Sequence, residues 1–79
     1  MAVRAFVLIQ TEIEVARTDE VAAAPKNLGG EVKSVDSVTG PYDIIVEIEE
    51  DTVNEIGTLV DEKIHFVPGV HRTVTCLAI

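Results

Sequence analysis

The segment Ala5-Phe6-Val7-Leu8-Ile9 is apolar at every position, inside a run, Ala2–Gln10, rich in β-branched and aromatic residues. Such composition predicts a strand. A strand with one wet face alternates; continuous apolarity means that both of its faces must be covered. The chain that has to supply the cover is only 79 residues long, and a domain of that size buries roughly 60% of its unfolded surface. Small domains recover stability from disulfides, a structural metal or self-association. Cys76 is the lone cysteine, and His65 and His71 have no cysteine cluster to complete a tetrahedral site, so self-association remains.

Five further segments follow. Glu12–Leu28 is helical in pattern, with Val21, Ala24 and Leu28 on one face and Gly29–Gly30 as a stop. Thr11 and Thr18 are both candidate caps, and Pro25 predicts a kink or break, because it removes one helical hydrogen bond. Glu31–Thr39 and Asp43–Glu49 read as a hairpin-like pair around Gly40–Pro41. Thr52 followed by Glu55 is a capping box, and Val53, Ile56, Leu59, Val60 and Ile64 make one apolar stripe. After Pro68–Gly69, Val70–Ile79 reads as the closing strand. The order β-α-β-β-α-β predicts a single α+β domain over residues 1–79: a ferredoxin-like, four-stranded antiparallel sheet with two helices on one face. Two helices leave the other face bare, although Phe6, Leu8, Val74 and Cys76 oppose Val7, Ile9, Leu77 and Ile79. A homodimer packed sheet to sheet, a dimeric α+β barrel, is the simplest cover.

Charge narrows the function. Fourteen acidic residues against six basic ones give a net charge of −8, and Arg4, Arg17, Lys26, Lys33, Lys63 and Arg72 are scattered. Direct binding of nucleic acid is not expected. No apolar run reaches the ~18 residues of a membrane span, and Met1–Ile9 lacks the marks of a signal peptide. With one unpaired cysteine, a cytoplasmic location is expected.

The segment Ser37-Val38-Thr39-Gly40-Pro41-Tyr42-Asp43 resembles the strand-turn-strand signature of the Lrp/AsnC effector-binding (RAM) domain. The resemblance extends to the apolar first strand, the capped second helix, Val67-Pro68-Gly69-Val70 and the closing Thr73-Val74-Thr75. The chain departs from the family pattern at Ala24–Glu31, where Pro interrupts the helix and Gly-Gly-Glu follows it. Full-length members carry a helix-turn-helix domain before this module; with strand one starting at Ala2, the resemblance implies a stand-alone form without it. It further implies a small-molecule effector, most often an amino acid, bound beside the turn where two dimers meet. Asp43 would take the ammonium group, Thr73 and Thr75 the carboxylate, and Gly40, held in the turn with Pro41, would let backbone approach, with Tyr42 as a wall. No cofactor and no metal are implied. Rings of dimers and co-assembly with full-length Lrp/AsnC regulators stay open.

Plainer readings stand beside these. Gly40–Asp43 serves equally as a tight turn, and Thr73 and Thr75 share a strand face by β-propensity alone. His71 and Arg72 form a solvated rim, and His65 favours a helix end as a cation. Cys76 reads as a buried structural thiol, and Glu47–Asp51 as a solvated strand end leading into the helix cap. Two other functions remain. One is a small enzyme of the monooxygenase type, which uses the same dimeric barrel but needs a roomy aromatic pocket, whereas this chain has no Trp and one Tyr. The other is a ligand-free assembly partner.

Overall fold

A computed structural model describes residues 2–12, 18–26 and 29–79 of the chain. Its elements are β1 (Val3–Thr11), α1 (Thr18–Lys26), β2 (Val32–Ser37), β3 (Ile44–Glu50), α2 (Val53–Leu59), continued by a π-helical turn (Val60–Ile64), and β4 (Val70–Leu77). The sheet order is β2-β3-β1-β4 with every pairing antiparallel. This is the expected ferredoxin-like arrangement.

Parity along the two central strands sorts the side chains. Ala5, Val7 and Ile9 of β1 lie opposite Ile48, Val46 and Ile44 of β3, and all six are fully buried. They meet Val21 and Ala22 of α1 and Ile56, Leu59, Val60 and Ile64 of the second helical segment in one core. Packing is where most helical stability comes from in elements this short. α1 rests on β2 and β3, and α2 on β3. The opposite parity, Phe6 and Leu8 of β1 and Ile45 of β3, is only half-buried, which fits the two-sided apolarity of β1. One face is the core and the other is open.

Several sequence expectations are corrected. Thr11 is the last residue of β1 rather than a helix cap, and Glu12 lies outside any helix. The rest of the expected helix start, 13–17, and its end at Leu28 lie outside the described residues. The chain remains helical through Pro25 to Lys26. Pro25 falls in the last turn of α1, where its missing N–H releases only the Val21 carbonyl, and its ring is fully buried. β2 is shorter than Glu31–Thr39, because the pairing shifts register between Val32 and Ser34 and ends at Ser37. Val53, counted in the apolar stripe, is 53% exposed. It is the first residue of α2, a turn away from the sheet.

The capping box forms as the Thr52–Glu55 spacing predicts. Thr52 Oγ1 accepts from the Glu55 backbone N–H at 3.1 Å and donates to Glu55 Oε1 at 3.1 Å, satisfying one of the orphan donors of the first turn. At the other end of this segment His65 N–H reaches the Val60 carbonyl at 2.8 Å, five residues back. That spacing is a π turn, and it keeps Val60 and Ile64 on the buried side.

Candidate functional site

The β2–β3 connection sits at the end of the sheet where β1 finishes. Gly40 has φ of +135°, the backbone region that the turn reading requires and that side-chain-bearing residues rarely adopt. Gly40 and Pro41 are exposed, and Tyr42 and Asp43 half-buried. Asp43 is held on three sides. Its N–H donates to the Ile9 carbonyl (2.9 Å), its own carbonyl accepts from Val38 N–H (2.8 Å), and its carboxylate receives Thr11. Thr11 N–H donates to Asp43 Oδ2 at 2.8 Å and the Thr11 hydroxyl at 3.0 Å. Charge-assisted bonds to a part-buried carboxylate are the stronger kind, so Asp43 pins the end of β1 to the start of β3. Both bonds fall on the same oxygen.

Thr73 and Thr75 lie elsewhere in the sheet. They pair with Ile9 and Val7 across β1, on the β4 edge, and point to the helix side of the sheet. Asp43 belongs to β1's other neighbour, so two inter-strand spacings, roughly 10 Å, separate Asp43 from Thr73. Within one chain the turn residues Gly40, Pro41, Tyr42 and Asp43 are brought together, as are Thr73 and Thr75, but the two groups are not.

The surrounding residues behave mostly as solvated. His71 Nδ1 stands 3.8 Å from Glu12 Oε2, with both side chains about half exposed, and Arg72 is exposed. His65 is exposed and makes an edge contact with Phe66, ring centroids 5.5 Å apart. Within the single chain Cys76 is exposed rather than buried, because it falls on the open face of an edge strand that no helix covers.

The acidic run Glu47–Asp51 divides by parity rather than being solvated throughout. Glu47, on the open face, pairs with Arg4 (3.0 Å) and receives the Ser34 hydroxyl (3.4 Å). Glu50 instead continues the inward parity of Ile44, Val46 and Ile48, and lines a depression of about 240 Å³ with Glu31, Glu55, Thr58, Leu59 and Lys63. That parity was the signal available in the sequence. Desolvation holds the Glu50 carboxyl above the usual carboxylate range, with Glu55, Glu31 and Asp51 adding repulsion and Lys63 opposing it. A carboxyl raised on folding favours the native state below its unfolded pKa, and that contribution is lost as pH rises through the folded value. Glu50→Gln is therefore expected to raise the melting temperature at pH 7 and leave it little changed near pH 4. Equal or lower melting at pH 7 would contradict this. Among the described residues, no group of three or more His, Cys, Asp or Glu is placed to hold a metal, and no helix is long and apolar enough to cross a membrane.

The family model for the Lrp/AsnC ligand binding domain matches residues 4–79. The chain belongs to the Lrp/AsnC ligand binding domain family. It is 35% identical over 75 residues to an uncharacterized HTH-type transcriptional regulator of Pyrococcus furiosus, covering 94% of this chain and 49% of that protein. The chain thus spans about half the length of this curated relative. A crystal structure from Thermus thermophilus superposes with a TM-score of 0.87 at 36% identity, covering 98% of this chain and 92% of that one. A transcriptional regulator of Neisseria meningitidis, solved as a complex with L-Met, shares the fold with a TM-score of 0.84. The two are 18% identical, and the match covers 98% of this chain and 49% of that protein.

Proposed function

We propose that this Lrp/AsnC domain is a non-catalytic effector-binding module. It binds an amino acid and serves transcriptional regulation, as a homodimer that associates further. The observation that carries this reading is the match of a ligand-binding-domain family over residues 4–79, joined by the L-Met complex of the Neisseria regulator. The site is built from Gly40, Pro41, Tyr42, Asp43, Thr73 and Thr75. The Asp43 carboxylate accepts the ligand ammonium, with Oδ2 already anchored by Thr11. The Thr73 and Thr75 hydroxyls donate to the ligand carboxylate, and Gly40 lets backbone approach closely. Asp43 and Thr73 are two inter-strand spacings apart, roughly 10 Å between backbones, and in this reading the two halves of the site come from different chains. That requirement ties ligand binding to assembly. A thermal-shift screen against the proteinogenic amino acids, read with a native mass, tests the reading: at least one should raise the melting temperature of an oligomer. No shift with any of them would argue for the ligand-free assembly partner.

The dimer contact is the open sheet face, with Phe6, Leu8, Ile45 and Val74 half-buried in the single chain and uncovered by the helices. Leu8→Asp places a charge in the middle of that patch without touching the core parity of β1. Sedimentation should show the variant at the 8.5 kDa of one chain under conditions where the parent is dimeric. A variant that stays dimeric would remove this interface.

A further inference from the structure

We propose that α2 is held to the sheet by an acid-tightened latch: protonated Glu50 donates a hydrogen bond across the depression to a neighbouring carboxylate, and α2 loosens when that proton leaves to solvent. This goes beyond effector binding and does not depend on it.

Three carboxylates from three parts of the chain converge on the depression. They are Glu31 just before β2, Glu50 at the end of β3 and Glu55 in α2, with Thr58, Leu59 and Lys63 completing the lining. The backbone of each is tethered. Glu49 N–H donates to the Glu31 carbonyl at 2.8 Å, Glu50 is paired with Val3 of β1, and Glu55 N–H donates to Thr52 Oγ1 at 3.1 Å. Among the described residues, the charged groups acting on Glu50 are Glu31 beside β2, Asp51 ahead of α2, Glu55 within it, and Lys63 from the π-helical turn. β1 brings only the apolar Val3 opposite Glu50. Three acids therefore face Glu50 against one cation. An ionised carboxylate only accepts hydrogen bonds, whereas a protonated one is a donor that a second carboxylate can take. Protonating Glu50 thus replaces a repulsion between β3 and α2 by a bond.

α2 is the element on which such a change acts. It has seven residues, too few for a helix to persist on its own. Its hold on the protein is the burial of Ile56 and Leu59 against β3, and its first helical bond, Ile56 N–H to the Thr52 carbonyl, is long at 3.3 Å. Elements held by few buried groups open ahead of the rest of a fold. The sign follows from the environment of Glu50. Desolvation, then Glu55, Glu31 and Asp51, hold its carboxyl above the usual carboxylate range. A group raised on folding stabilises below its unfolded pKa, and the contribution is lost as pH rises through the folded value. The latch is closed in acid and opens toward neutral pH.

Native-state hydrogen exchange on the full chain, without any effector, tests this at about pH 5 and about pH 7.5, on either side of the expected change. Each rate is divided by the intrinsic rate of its residue at that pH, so that only opening is compared. The Val60 amide, bonded to the Gly57 and Ile56 carbonyls, reports α2; the amides of Val7 and Val46, paired at the centre of the sheet, report global opening. In the parent, protection of Val60 relative to the strand amides should rise several-fold from the higher pH to the lower. Glu50→Gln is neutral at both and should abolish that pH dependence. Lys63→Met removes the opposing cation and should lower Val60 protection more at the higher pH than at the lower. Equal relative protection of Val60 at both pH values in the parent, or a pH dependence that survives Glu50→Gln, would overturn the proposal.

Discussion

Ile44→Ala is expected to cost about 2–5 kcal/mol of folding stability, the range for removing a large aliphatic side chain from a packed core. Ile44 is fully buried, opposite Ile9, where the two central strands meet the helices. A chain of this length has a total stability of only about 4–12 kcal/mol on the usual per-residue scale, so the variant loses much of its margin. Urea titration should show the midpoint falling with an unchanged slope. Val53→Ala is the internal control. Val53 stands in the same apolar stripe by sequence but is 53% exposed, and its truncation should stay within about 0.5 kcal/mol. Comparable losses at both positions would mean that the core is not where the β1–β3 parity puts it.

Asp43→Asn is the second large effect, this time on binding. Asn keeps an oxygen that can accept from the Thr11 N–H, so the junction of β1 and β3 should persist while the charge disappears. A hydrogen bond to a charged group contributes about 1.5–3 kcal/mol, which corresponds to roughly a 10- to 150-fold loss of amino-acid affinity. Thr11→Val separates the two roles of this carboxylate. It removes the hydroxyl donor at 3.0 Å but leaves the backbone bond at 2.8 Å, so it should lower stability more than ligand affinity. If Asp43 were only a turn anchor, Asp43→Asn would change melting and leave the dissociation constant alone.

The two Asp43 roles show where a sequence stops being readable. Local patterns gave the element order, the Thr52–Glu55 cap and the turn at Gly40–Pro41, because each is a property of a few neighbouring residues. The resemblance at Ser37–Asp43 gave the family. Long-range pairings stayed hidden. Nothing near Asp43 in sequence points to Thr11, thirty-two positions away, and the early end of β2 follows from its register against β3 rather than from its composition. The exposure of Cys76 is hidden for a related reason: its apolar neighbours are the same whether a strand is central or at an edge, and only the order β2-β3-β1-β4 shows that it is at an edge. The separation of Asp43 from Thr73 is also a property of strand order. It ties the proposed ligand contacts to assembly, since the proposed site takes its two halves from different chains.

The most direct test of the account is a calorimetric titration of the assembled protein with whichever amino acid raises its melting temperature, repeated on Leu8→Asp. Saturable binding to the parent and loss of binding in the folded but monomeric variant are expected, because the proposed site takes its turn and its β4 hydroxyls from different chains. Undiminished binding to a folded monomer would contradict it.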